Sequence, residues 1–193
     1  MNQSNLLKPD WSKIPTPKKN VSLEHLNNFL IPEIKLLSTN KEEVNLSKLV
    51  GLSIIYIYPM TGRPDIALPK GWDEIPGARG CTPQSCSFRD NFSELKRLNV
   101  KNIFGLSSQT TEYQKEMVER LNLPYPILSD EKLKFANSLK LPIFKVENMN
   151  LIERVTLILD NNKIIKCFYP VFPPDQNVND VIFWLKKRSV FVN

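Results

Sequence analysis

Residues 76–90 read PGARGCTPQSCSFRD, and the rest of this 193-residue chain can be placed around them. Thr82 and Pro83 form a helix-start signature, a hydroxyl residue at the N-cap followed by proline at the first helical position, where its missing N–H costs nothing. Cys81 then sits just ahead of a helix N-terminus. Free backbone N–H groups and the positive end of the helix dipole favour a thiolate there. Arg79 and Arg89 act in the same direction if they point inward. A free cysteine is more often a small buried hydrophobe. The glycine before it, the cap and proline after it, the flanking arginines and the second cysteine five positions on instead give Cys81 the features of an activated nucleophile.

In an unbroken α-helix, residues five apart lie ~8.5 Å from Cα to Cα, beyond the ~7 Å limit for a disulfide. A bond between Cys81 and Cys86 would therefore require the first helical turn to unwind. Metal binding is the competing reading. One such pair, with the single His25 far away in sequence, is a poor ligand set.

Working outward, residues 52–58 form a nearly continuous apolar and aromatic run, the mark of a central strand buried on both faces, which ends at Pro59. Residues 60–80 hold four of the six glycines and read as an extended loop. That loop is either a lid, with Trp72 shielding Cys81, or a surface excursion in which Trp72 plugs a groove. Upstream, residues 1–20 are expected to form an irregular arm anchored by Trp11, residues 21–31 a short helix, and 34–37 and 44–46 short strands. Downstream, one amphipathic helix is expected over 83–98, then a strand at 100–106 and a helix to 121. A short strand near Ile127 and a helix capped by Ser129 follow. Residues 144–151 read as loop, 154–159 and 163–169 as a hairpin, and 175–187 as a final helix. The alternation describes an α/β fold, with arm and short helix over 1–30 and one domain over 31–193.

The run GCTPQSCSFRD, preceded by LSIIYIYP and followed by LSDEKLKFANSL and ERVTLILDNNKI, resembles the peroxiredoxins, specifically the bacterioferritin-comigratory type with its Cys-x4-Cys pair. The likeness runs over residues 31–185. It implies a thioredoxin-like fold, a central mixed β-sheet with helices on both faces, and thiol-dependent reduction of hydrogen peroxide or organic hydroperoxides without metal or organic cofactor. By position, Cys81 would be the peroxidatic cysteine, Cys86 the resolving one and Arg154 the active-site arginine. Thr82 and Gln84 would help position the substrate. The pattern departs in one respect: its proline and threonine, seven and three residues before the nucleophile, are Glu74 and Ala78 here. Thr61, after Pro59 and Met60, is a candidate for the absent hydroxyl. Cys167 reads as a structural residue of the hairpin, with a second resolving role left open.

The chain is large enough to hold a core without disulfide staples, and three cysteines fit a reducing compartment. No apolar run approaches a membrane span, and residues 1–19 lack the apolar segment of a signal peptide. The expected location is cytoplasmic. The net charge of +6 is spread along the chain apart from a cluster at 186–188, a solvated basic surface more than a nucleic-acid footprint. The expected partners are a peroxide and thioredoxin or a similar dithiol, with the protein a monomer or homodimer. Two other readings stand beside the peroxidase: a thiol-disulfide oxidoreductase or redox sensor with little peroxide turnover, and a binding scaffold of the same fold.

Overall fold

A computed structural model describes residues 9–192, with side chains through residue 188. The chain order is β1 (Lys35–Ser38), β2 (Glu43–Asn45), β3 (Leu52–Ile57), α1 (Cys81–Asp90), α2 (Phe92–Arg97), β4 (Val100–Ser107), α3 (Thr111–Leu121), β5 (Ile127–Ser129), α4 (Lys134–Ser138), β6 (Ile143–Val146), β7 (Met149–Ile152), β8 (Val155–Asp160), β9 (Lys163–Phe168) and α5 (Asn177–Val192). Seven strands make one mixed sheet in the order β2-β1-β5-β4-β3-β8-β9, and β6 with β7 forms a separate hairpin. β3 lies in its interior, parallel to β4 on one side and antiparallel to β8 on the other.

Alternation along the central strands sends neighbouring side chains to opposite faces. Ile55, Ile57, Leu106 and Leu157 pack toward Phe135 and Leu139 of the α4 region. Ile54, Tyr56 and Ile158 pack toward Phe88 of α1, Leu95 of α2, Met117 of α3, and Val181 and Leu185 of α5. Both faces are covered, which is why 52–58 reads as an unbroken apolar run. The result is the thioredoxin-like α/β fold expected from the sequence.

Several local expectations are corrected. Residues 21–31 form only a 3-10 turn at Glu24–Leu26, because Asn28 takes a left-handed φ of 62° and Leu30 turns out to bridge Lys163. The single helix expected over 83–98 is two, broken at Asn91, whose side-chain amide donates to the Ser87 carbonyl. Residues 143–152 form a hairpin and not a loop, closed by a two-residue turn with Glu147 at φ 50°. That turn lacks the Asn-Gly or Asp-Gly signature that marks such hairpins in sequence.

Ser129 ends β5 and caps nothing, while Asp130 performs the capping. Its buried carboxylate accepts the N–H groups of Phe135 and Ala136 at 3.1 and 2.8 Å, across a loop in which Leu133 is left-handed. Burial raises its pKa above 3.8 despite those bonds, so the folded state holds this proton more tightly than the unfolded state does. Its contribution to stability is therefore present in full at pH below 3.8 and is lost as pH rises through the folded value. Asp130→Asn removes the charge but keeps only one acceptor, its NH2 facing the other buried N–H, and is expected to lower the melting temperature at pH 7 by less than Asp130→Ala does. Asp130→Ala, which strands two buried donors, is expected to cost about 1–2 kcal/mol. Thermal melts at pH 4 and pH 7 check both.

The arm lies against the domain that carries the cysteines. Trp11 meets Phe172 edge-on with ring centroids 5.8 Å apart, and its indole N–H donates to Asp175 at 3.1 Å. The Asn20 amide donates to Glu153 at 3.2 Å. The part of the expected arm at residues 1–8 lies outside the described residues.

Candidate active site

β3 delivers the chain through Tyr58 and Pro59 into the 60–80 loop, which returns to start α1 at Cys81. The helix begins two residues earlier than its threonine and proline indicate. Gly80, at φ 100°, is the N-cap, and its carbonyl accepts the Gln84 N–H at 3.0 Å. Thr82 and Pro83 therefore occupy the second and third helical positions, and the Thr82 hydroxyl is not the cap. Cys81 is itself the first helical residue, at the positive end of the helix dipole.

The cation beside its sulfur comes from elsewhere in the chain. Arg154, just ahead of β8, is 4% exposed, and its Nη2 lies 3.1 Å from Cys81 Sγ. The same nitrogen donates to the carbonyls of Gly77 and Arg79 at 3.2 and 3.0 Å, and Nη1 donates to Gln84 Oε1. Among the described residues no carboxylate pairs with this guanidinium. Neutral oxygens accept from its two terminal nitrogens without cancelling its charge, its Nε is buried without a partner, and the Cys81 sulfur lies within hydrogen-bond reach of that uncancelled charge. Arg79 and Arg89 do not supply that charge: Arg79 forms an ion pair with Asp73, and Arg89 binds Asp90 and the Leu121 carbonyl.

Cys81 is 4% exposed. Cys86 lies one and a half turns along the unbroken helix, half-buried, and all three cysteines are free thiols. Burial is the main cause raising the Cys86 pKa above 9.0, with Arg89 opposing it. Cys167 sits on β9 opposite Leu157, where burial pushes its pKa up to about 11. Among the described residues no group of His, Cys, Asp and Glu side chains could hold a metal ion, and no helix is long and apolar enough to cross a membrane.

Thr61 is buried, but its hydroxyl and N–H both bond to Gln109 Oε1, at 3.2 and 3.0 Å, and not to Cys81. Trp72 is also buried, in a cluster with Met60, Ala78, Val146 and Leu151, and its ring lies 6.5 Å from that of Phe144. The 60–80 loop thus packs through Trp72 onto the β6–β7 hairpin. Of the sequence-derived residues, the structure brings together Cys81, Gln84 and Arg154.

Three nearby groups have no sequence signal of their own. The buried Tyr58 hydroxyl has no hydrogen-bond partner, with Ser107 beside it outside bonding geometry. It lies within electrostatic reach of Cys81 and Arg154. Asn177 and Thr156 complete a buried chain behind Gln84. A tyrosine in an apolar strand and a threonine in another look like ordinary core residues until the fold apposes them.

The redoxin family model matches residues 26–182. A chloroplastic peroxiredoxin Q of Suaeda salsa is 28% identical over 159 residues, covering 80% of this chain and 65% of that protein. Peroxiredoxin Bcp of Escherichia coli is 26% identical over 164 residues, covering 83% of this chain and 95% of that one. Peroxidoxin BcpB of Mycobacterium tuberculosis superposes with a TM-score of 0.67 at 19% identity, over 83% of this chain and 96% of that chain, a likeness of fold.

Proposed function

The chain belongs to the redoxin family, as a peroxiredoxin of the Q and bacterioferritin-comigratory type, and from that premise we propose that Cys81 reduces hydrogen peroxide or an organic hydroperoxide. One observation carries this reading: the buried, carboxylate-free Arg154 guanidinium 3.1 Å from the Cys81 sulfur. The thiolate attacks the terminal peroxide oxygen, an S–O bond forms as the O–O bond breaks, and the departing hydroxide or alkoxide takes up a proton. Arg154 stabilises both the thiolate and the negative charge that develops on the oxygens. Tyr58 holds an unengaged hydroxyl in the same neighbourhood, whereas the Thr61 hydroxyl is occupied by Gln109. Tyr58 is thus the better candidate for the hydroxyl that Ala78 lacks.

The sulfenic acid then condenses with Cys86, releasing water and forming a disulfide. The first turn of α1 must open for this, and the opening hydrates Cys86 and relieves the burial that keeps it protonated. Thioredoxin or a similar dithiol returns both thiols by exchange, becoming a disulfide itself. Three cysteines, an odd number, fit a reducing compartment better than a secreted disulfide framework, which supports a cytoplasmic location. The competing reading, exchange with protein disulfides as the main activity, needs the bulky partner to reach a cysteine that is 4% exposed, and a small peroxide fits that burial better.

The test is peroxide consumption with thioredoxin by wild type, Cys81→Ser and Cys86→Ser, with dimedone labelling of Cys81. Cys81→Ser is expected to abolish turnover. Cys86→Ser should consume one equivalent of peroxide and accumulate labelled sulfenic acid. Full turnover by Cys81→Ser would overturn the assignment.

A further inference from the structure

Behind the Cys81 and Arg154 pair lies a line of side chains that the chemistry above does not use. Gln84, Asn177 and Thr156 are all fully buried. Asn177 Oδ1 accepts two hydrogen bonds, from Gln84 Nε2 at 3.0 Å and from Thr156 Oγ1 at 2.7 Å. Gln84 Oε1 in turn accepts from Arg154 Nη1. A guanidinium can only donate, so the Gln84 amide must present its oxygen to Arg154 and its NH2 to Asn177. A carbonyl oxygen at position 177 is then required, because an NH2 there would meet the NH2 of Gln84. The Asn177 nitrogen is left buried without a partner, a desolvation cost of about 1–3 kcal/mol. An unpaired group of this kind is retained where the geometry it enforces has a use.

We propose that Asn177, at the start of α5, is a positioning residue for Arg154: its carbonyl locks the orientation of the Gln84 amide, and that amide holds the guanidinium against the Cys81 sulfur. Its action passes through Gln84 and needs no contact with the substrate. Tyr58, just after β3, lies within electrostatic reach of Cys81 and Arg154; Glu153, next to Arg154 in the chain, accepts from Asn20 and Tyr169, and Asp175, two residues before Asn177, accepts from the Trp11 indole. Asn177 adds no charge to that set, so an effect of replacing it with an apolar residue reports geometry.

The inference rests on the peroxidase reading for its kinetic arm alone. The experiment uses the full chain with Cys86→Ser and Cys167→Ser, so that Cys81 is the sole thiol, and compares Asn177, Asn177→Leu and Asn177→Asp. Two quantities are read: the pH midpoint of Cys81 alkylation by iodoacetamide, and the limiting rate of its oxidation by hydrogen peroxide at high pH. Asn177→Leu frees Gln84, and its midpoint is expected to rise by about one unit, tenfold less thiolate at a pH below it. Its limiting oxidation rate should fall about tenfold, within the range for one misplaced stabilising group. Asn177→Asp keeps the acceptor and should hold the limiting rate within about twofold of the parent, by the same reasoning. A folded Asn177→Leu protein with the parent midpoint and rate would overturn the proposal, as would an Asn177→Asp rate as low as that of Asn177→Leu. Should either variant fail to fold, Thr156→Val, which removes the far donor and lets the Asn177 amide rotate, is expected to raise the midpoint, and an unchanged midpoint would overturn the proposal. If the parent reacts with no hydroperoxide, the peroxidase reading falls, and the alkylation midpoint decides the positioning role by itself.

Discussion

Replacing Arg154 with methionine lowers the second-order rate of Cys81 oxidation by hydrogen peroxide by about 10²- to 10³-fold, the usual cost of removing one preorganised donor from a developing anion. The expectation follows from the unshared charge of this side chain. A guanidinium bound to a carboxylate would be largely neutralised, and its loss would be felt mainly in stability. Arg154 faces backbone carbonyls, an amide oxygen and a sulfur, so most of its field is available to the thiolate and the reacting oxygens. Two stability effects accompany the change and oppose one another. The carbonyls of Gly77 and Arg79 lose a donor, at about 1–3 kcal/mol for each that stays buried and unpaired, while a buried charge is removed. Activity should therefore fall much further than stability. Arg154→Lys keeps the charge but has no planar fork to span Gln84 and the sulfur together, and should recover only part of the rate. Stopped-flow oxidation of the reduced protein, alongside a thermal melt, separates the two quantities. A methionine variant oxidised within threefold of wild type would remove Arg154 from the mechanism.

Gly80→Ala is expected to be among the most destabilising single-methyl additions in the chain. Gly80 has a φ of 100°, a backbone conformation that side chains other than hydrogen rarely adopt. A Cβ there would also lie 2.7 Å from Pro174 Cγ and 2.7 Å from the Trp11 ring. Backbone strain of about 1–3 kcal/mol adds to overpacking of about 1–3 kcal/mol, against a total stability of roughly 5–15 kcal/mol for a typical domain. At roughly 2–4 °C per kcal/mol for a domain of this size, the melting temperature should fall by about 5–20 °C. The two causes can be separated. Adding Trp11→Ala to Gly80→Ala removes the clash with the indole and leaves the strain, so partial recovery relative to Trp11→Ala alone is expected. No loss of stability in Gly80→Ala would show that the start of α1 can rebuild without cost. Because the contact ties the arm to the residue beside Cys81, the same variant should also release Trp11 from Phe172 and Asp175, visible as a change in tryptophan fluorescence.

The two cysteines could be picked out of the sequence because the motif around them is local. A glycine, a cysteine and a helix start within a few residues depend on backbone conformation and dipole, which neighbours in sequence largely set. Even there the boundary moved by two residues, because Gly80 can take a left-handed φ and so begin the helix ahead of Thr82. Arg79 and Arg89 show the limit of such reading. Both flank Cys81 in sequence, yet both are engaged by other residues, and the cation at the sulfur lies 73 positions away. Position along the family pattern identified Arg154; its charge pattern did not.

The apolar run of β3, the periodicity of the helices and the cysteine motif were enough to determine an α/β chain with a thiol at a helix start, since burial and backbone geometry act over a few residues. Tertiary structure alone decided what surrounds that thiol. It threaded Arg154 through the loop before Cys81, turned Thr61 toward Gln109, set Trp72 against the second hairpin, and aligned Gln84, Asn177 and Thr156 into one buried line. The physical reason is that a hydrogen bond or ion pair is specified by distance and direction in space. Those are consequences of how the sheet and its helices close on one another, and they leave no period, spacing or composition to be read beforehand.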